Sequence, residues 1–248
     1  MSQWDDQGIV LSLRPHGETA AIVTCLTEDH GRNAGYVHAA RSSKKLRGIL
    51  QPGNLVALHW NARNDSELGA YSMELDQSVS GGVMDDPMRL GAVASSCALL
   101  DMVLPEREMH PELYHGTLAW FSSLDSEAWA PAYIMWELRL LSALGFAVDL
   151  EKCAATGATE KLTHVSPKSG CAVSAEAAEP YQHKLLPLPG FLVGSGEWED
   201  EDIANGLRLT GYFLFHRVLD PLSKTIPDVR ERLFKGFAPL HDEEMPAT

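Results

Sequence analysis

Within the first 80 residues apolar side chains recur at every second position in short runs, and from Asp85 onward they recur every three or four. A chain with that change of period cannot form one uniform layer; it must build a β unit and then an α unit. Ile9, Leu11 and Leu13 alternate with Val10, Ser12 and Arg14, and Ile22, Thr24 and Leu26 alternate with Val23 and Cys25. Three further runs, Gly35 to Ala40, Leu55 to Trp60 and Ala70 to Leu75, are separated by turn-rich pieces such as Asp29-His-Gly31 and Gln51-Pro-Gly-Asn54. Five short strands predict a partly open Greek-key barrel of the OB type, a fold that binds oligonucleotides on one face and its flanking loops.

Beyond the strands, Asp85 and Asp86 precede Pro87, a cap and first-turn combination, and Val93, Cys97, Leu100 and Leu104 follow at helical spacing until Pro105. A second helix is predicted over 111–122 and a third over 127–144, stopped by Gly145. The section 153–189 has weak periodicity, and another buried helix carries Ile203, Leu207, Thr210, Leu214 and Val218. Glu197, Glu199, Asp200, Glu201 and Asp202 precede or open that helix, where negative charge complements the N-terminal dipole; a metal-holding carboxylate cluster, as in a magnesium-dependent nuclease, is the competing reading. A last short helix is expected over 227–234. The expected class is therefore α+β multidomain: a five-stranded OB-fold barrel over 1–80, an α-helical domain over 81–240 and a flexible tail over 241–248.

Charge is unevenly distributed along this sequence. Its formal net charge is −14, yet Gly31 to Asn64 carries Arg32, Arg41, Lys44, Lys45, Arg47 and Arg63 with no Asp or Glu among them. Seven basic and nine acidic residues lie in 1–80, thirteen and twenty-five beyond. Like charge on one short segment repels itself and stays favourable when an anionic partner meets it, nucleic acid above all. Tyr36 and Trp60 fall in strands on either side of Arg41 to Arg47, a glycine-flanked polar stretch that reads as a mobile loop. Cationic side chains would track phosphates while the two aromatic rings either stack unpaired bases or fill the barrel. With Arg14 extending the path, the expected nucleic-acid-binding set is Arg14, Arg32, Tyr36, Arg41, Lys44, Lys45, Arg47, Trp60 and Arg63.

No phosphate loop, dinucleotide fingerprint or Gly-x-Ser-x-Gly elbow occurs. The two histidines of His110-Pro-Glu-Leu-Tyr-His115 are five apart, which spoils the one-face geometry of a zinc-binding helix. Phosphate-loop, dinucleotide, hydrolase and zinc-helix readings therefore lack their simplest support. The four cysteines, Cys25, Cys97, Cys153 and Cys171, lie far apart, which suits a reducing compartment. With no apolar run near the roughly 18 residues of a membrane span and no basic-then-apolar N-terminus, a soluble cytoplasmic protein is expected.

Several segments resemble the bacterial recombination mediator family RecO. They are Gly8-Ile-Val-Leu-Ser-Leu-Arg14, Gly17-Glu18, Ile22-Val-Thr24, Leu26-Thr27, His30-Gly31, Ala39-Ala-Arg41-Ser-Ser43, Leu46-Arg-Gly48 and Leu50-Gln-Pro52, in order and spacing. Trp136-Glu-Leu-Arg-Leu-Leu141 with Leu144-Gly-Phe146 is similar to the family's helical-domain signature. The resemblance implies an OB barrel joined to a helical domain, no catalytic residue or cofactor, and binding of single- and double-stranded DNA in repair and recombination in the bacterial cytoplasm, at the nucleoid. It also implies annealing of complementary strands, help from RecR in loading RecA onto DNA covered by single-strand-binding protein, contact with that protein's acidic C-terminal tail, and an indirect link to RecF. An OB-fold adaptor for RNA or protein, without a role in recombination, is the alternative.

Many members of that family carry a four-cysteine zinc module, and 153–180 departs from it. The first pair reads Cys153-Ala-Ala-Thr156-Gly157, and in Ser169-Gly-Cys171-Ala-Val-Ser174-Ala-Glu-Ala177 the residues Ser174 and Ala177 stand where thiols would be. A closed tetrahedral site wants four N or S ligands. Cys153 and Cys171, even with His164, supply too few, so no zinc is expected and packing by Val165, Tyr181, Leu185 and Leu186 must hold this region.

Overall fold

A computed structural model describes residues 2–64, 66–194 and 196–238; the tail assigned to 241–248 lies outside the described residues. The chain forms two compact units, 1–121 and 122–248. The change of period near residue 80 marks where strands give way to helices, whereas the packing units divide later, after Phe121.

In the first unit β1 (Ser2–His16), β2 (Ala20–Thr27), β3 (Gly31–Val37), β4 (Leu55–Ala62) and β5 (Ala70–Gln77) close into a barrel of order β1-β2-β3-β5-β4. This is the Greek-key arrangement of an OB-type fold, within an α+β chain. Closure depends on the length of β1: its first half pairs antiparallel with β4, from Ser2 opposite Ala62 to Ile9 opposite Leu55, and its second half pairs with β2. The register shifts between Val10 and Ser12, which lets one strand turn the corner. Val10, Val23, Cys25, Val37, Val56, Leu58, Trp60 and Tyr71 fill the interior. Burial in this core pushes the Cys25 thiol and the Tyr71 hydroxyl far above their ordinary pKa values. Gly69, at φ +67, passes so close to the Trp60 indole that a Cβ there would overlap the ring.

Between β3 and β4 lies α1 (Lys44–Ile49), and after β5 come a single turn, α2 (Val79–Gly82), then α3 (Pro87–Val103) and α4 (Pro111–Phe121). The Asp86 carboxylate accepts from the backbone N–H groups of Met88 and Arg89 and so caps α3, with Pro87 in the first turn. Ser96 accepts the Trp120 indole N–H at 2.9 Å, tying α4 to α3.

The second unit contains α5 (Trp129–Ala143), the short turn α6 (Ala175–Ala178), α7 (Asp200–Phe213), which continues as a π-helical stretch over Leu214–Leu219, and α8 (Asp228–Phe237). The weakly periodic section contains a small antiparallel sheet of β6 (Leu162–Val165), β7 (Ala172–Ser174) and β8 (Leu186–Pro187), in the order β7-β6-β8. Strands of two to four residues are too short to show a period in sequence.

Glu137 is fully buried on α5, and the Arg230 guanidinium on α8 meets it with two N–H groups, each 2.9 Å from a carboxylate oxygen. Tyr133 donates to the same carboxylate at 2.7 Å, the Thr210 hydroxyl also donates to it, and Arg230 reaches the Leu207 carbonyl at 2.6 Å. Desolvation opposes the charge on Arg230, but the Glu137 carboxylate beside it prevails and raises its pKa. The glutamate of the segment Trp136-Glu-Leu-Arg is thus a structural clamp between α5, α7 and α8. At the start of α7 the Glu199 N–H donates to Asp202 at 3.0 Å within a reciprocal capping box, which gives two of the acidic residues there a structural role. Among the described residues no helix is long and apolar enough to cross a membrane.

Candidate nucleic-acid interface

Of the stretch Arg41 to Arg47, expected to be a loop, the part up to Ser43 is non-helical and the rest begins a helix, α1. The Ser43 hydroxyl accepts from the Leu46 N–H at 3.3 Å, and Leu46, Ile49 and Leu50 recur at the spacing that puts them on one face, against the barrel core. The Asn54 side chain donates to the carbonyls of Gly48 and Ile49 and satisfies the other end of α1. That amphipathic anchoring leaves Lys44, Lys45 and Arg47 exposed. None of the three has an ion-pair partner among the described residues.

Arg41 ties this segment to the turn between β1 and β2. Its guanidinium donates to the carbonyls of Gly17 and Glu18 at 3.1 and 3.3 Å, and its backbone N–H to that of Thr19 at 2.9 Å. Arg14 and His16 stand exposed on the strand leading into the turn. His16 and His38 both pack edge-on against the Tyr36 ring, with centroids 5.6 and 4.5 Å away. On the other side of Tyr36 a groove of about 560 Å³ opens, and Arg63 is among its lining residues. Arg14, Arg41, Lys44, Lys45, Arg47 and Arg63 are all exposed, as are His16 and His38, and Tyr36 is partly exposed.

Two members of the expected set do not belong with them. Trp60 is 1% exposed, donates its indole N–H to the Leu68 carbonyl at 3.0 Å and stacks on Trp4, so it fills the barrel core and no base can reach it. Arg32 is engaged at the start of β3: it donates to the Leu104 carbonyl at 2.7 Å and pairs with Asp101 at 3.2 Å and Glu106 at 3.5 Å. A guanidinium held by two carboxylates has little charge left for a phosphate. The position of Trp60 follows from strand phase, since it shares the inward set of β4 with Val56 and Leu58, whereas Arg32 shares the outer face of β3 with Tyr36 and is withdrawn by Asp101 and Glu106 instead. The two histidines are not evident in the sequence, because a charge pattern built on Lys, Arg, Asp and Glu does not include them.

The opposite half of β1 has the opposite sign. Asp5, Asp6, Glu28, Asp29 and Glu74 line a second groove of about 610 Å³, where Asp5 and Asp6 hold His59 and His30 at 2.8 and 2.7 Å. This groove repels a polyanion, and His59, paired with Asp5, lines it as well as the groove beside Tyr36.

The residues of 153–180 do not fit a metal. The buried sulfur of Cys153 accepts the Ser174 backbone N–H at 3.2 Å and is also hydrogen-bonded by the hydroxyls of Ser174 and Thr156. Burial acts to raise the thiol's pKa, but these hydrogen bonds outweigh it and lower the pKa to about 6. Cys171 turns its thiol towards the Ser169 carbonyl at 3.8 Å. Hydroxyls at Thr156 and Ser174, each three residues after a cysteine, stand where a tetrahedral site needs thiolate or imidazole, and they bond to sulfur instead. Among the described residues no group of three or more His, Cys, Asp or Glu side chains is placed to hold an ion.

Residues 1–78 match the family model described as the N-terminal part of recombination protein O, and residues 84–225 match its C-terminal part. A DNA repair protein RecO from Rhodospirillum centenum is 46% identical over 241 residues, covering 96% of each chain. The DNA repair protein RecO of Rhodospirillum rubrum is 45% identical over 240 residues, 94% of this chain and 95% of that one. A third, from Cereibacter sphaeroides, is 43% identical over 240 residues, 96% and 99% of the two chains.

Proposed function

The chain belongs to the RecO family, and from that premise we propose that it is a non-enzymatic DNA-binding mediator of repair and recombination. It binds single- and double-stranded DNA at the basic side of its barrel and anneals complementary strands. With RecR it helps RecA onto DNA covered by single-strand-binding protein, whose acidic tail it contacts, in the bacterial cytoplasm. The observation that carries this reading is α1, a short helix anchored by Leu46, Ile49 and Leu50 that holds three exposed cations without carboxylate partners among the described residues.

Annealing needs no general acid, base or nucleophile. Cations that neutralise phosphates on two strands reduce their mutual repulsion, and contacts weak enough to exchange let base pairing complete the reaction. The six cations Arg14, Arg41, Lys44, Lys45, Arg47 and Arg63 on a single strand correspond to a slope of log affinity against log salt of about −4.

The test is annealing of complementary oligonucleotides by the wild type and by Lys44→Glu/Lys45→Glu. Loss of acceleration, with weakened binding to every sequence, is expected. Unchanged annealing and unchanged affinity at low salt would overturn the assignment. An adaptor for RNA or protein would leave annealing at the spontaneous rate even in the wild type.

A further inference from the structure

Strand register places six residues in one row around the barrel. Gln3 on β1 lies opposite Asn61 on β4, Asn61 opposite Ala70 on β5, Ala70 opposite Tyr36 on β3, Tyr36 opposite Ile22 on β2, and Ile22 opposite Arg14 back on β1. Residues paired across a ladder share a face, and none of the six is buried, so the row runs along the outside. Ala70 is the smallest of them. Over it lies the groove of about 560 Å³, with Tyr36 on one flank, the carboxamides of Gln3 and Asn61 on the other, and Arg63 and Glu67 at its end.

We propose that this groove is a nucleobase pocket: one base of a single DNA strand, unstacked from its neighbours, lies against the Tyr36 ring while Gln3 and Asn61 hydrogen-bond its edge. The proposal rests on the DNA-binding reading above and adds to it the part of the strand that is recognised. Each carboxamide offers both a donor and an acceptor, the combination that matches the exposed edges of bases. Gln3 and Asn61 are both exposed and both belong to strands, which hold their backbones in place. His16 and His38 fix the plane of Tyr36 by packing edge-on against it. Arg63 receives a flanking phosphate. Glu67 accepts a hydrogen bond from Asn64 at 2.9 Å, and its negative charge directs the backbone to the Arg63 side.

The pocket divides labour with α1. Lysines and arginines that touch phosphates bind single strands and duplexes alike, whereas a base edge is free only in an unpaired strand. A complementary strand competes for the same base edges as Gln3 and Asn61. Pairing itself therefore releases the base, and the protein does not retain the duplex through this pocket.

The experiment compares wild type, Gln3→Ala/Asn61→Ala, Ala70→Leu and Lys44→Glu/Lys45→Glu for binding of a mixed-sequence single strand and of its duplex at one salt concentration. The carboxamide variant and the groove-filling Ala70→Leu are expected to lose about tenfold in single-strand affinity, on the scale of one lost base contact, and to change duplex affinity less than twofold. Retained duplex binding also shows that both variants are folded. Equal losses on the two substrates, or no loss on either, would overturn the pocket while leaving the DNA-binding reading intact if the lysine variant loses both. Failure of the wild type to bind either DNA would overturn both.

Discussion

Lys44, Lys45 and Arg47 on α1 and Arg230 on α8 carry the same charge in opposite settings. The first three lie in water with no carboxylate to meet among the described residues, while Arg230 is nearly inaccessible and its guanidinium donates to Glu137, Thr210 and the Leu207 carbonyl. Arg32 takes an intermediate position, half-buried between Asp101 and Glu106. What distinguishes a ligand-facing cation from a structural one is therefore its set of partners. The basic residue that lies inside the basic run and yet serves the fold, Arg32, shows that proximity in sequence does not assign the role.

The contrast is tested most severely at Arg230. Arg230→Ala leaves the Glu137 carboxylate buried without its counter-charge and should lower stability by about 3–5 kcal/mol in denaturant unfolding. Glu137→Met/Arg230→Met should recover most of that loss, and a small effect of the single change would remove the clamp from the account. Trp60→Ala should cost a similar amount, about 3–5 kcal/mol. Tyr36→Ala should cost about 1 kcal/mol and act mainly on single-strand affinity; an equal effect of both on stability would erase the distinction between inward and outward aromatics.

Smaller effects separate Arg32 from the helix. Arg32→Ala should lower stability by about 1–3 kcal/mol and leave the salt slope of DNA binding as it was. Lys44→Ala/Lys45→Ala should leave stability within about 0.5 kcal/mol and make the single-strand slope shallower by about 1.4. At the low end, a metal chelator should leave the unfolding midpoint unmoved, because the Cys153 sulfur is held by Ser174 and Thr156; a lower midpoint would show that an ion holds the region after all.

Much of the fold was legible locally. Asp86 before Pro87 announced α3, Gly145 marked the end of α5, and the five alternating runs became β1 to β5, with β1 extended at both ends and β3 beginning and ending earlier. The basic run was legible as charge but not as a helix, because its apolar anchor, Leu46, Ile49 and Leu50, is only three residues long. The small sheet of 162–187 was not legible, since its strands are only two to four residues long.

By itself the sequence determined the order of strands and helices, the sign of the charge carried by 31–64 and the lack of a full thiol set after Cys153, because each depends on residue type and near spacing. Which way the side chains of a strand point is a different matter. Period two divides a strand into two faces without saying which is inside, and barrel closure made that choice. It sent Trp60 inward and Tyr36 outward and brought Gln3, Asn61, Tyr36 and Arg14 into one row, while α3 and the segment after it set Asp101 and Glu106 against Arg32. Those pairings join residues far apart in the chain, and their register exists only once the strands have met.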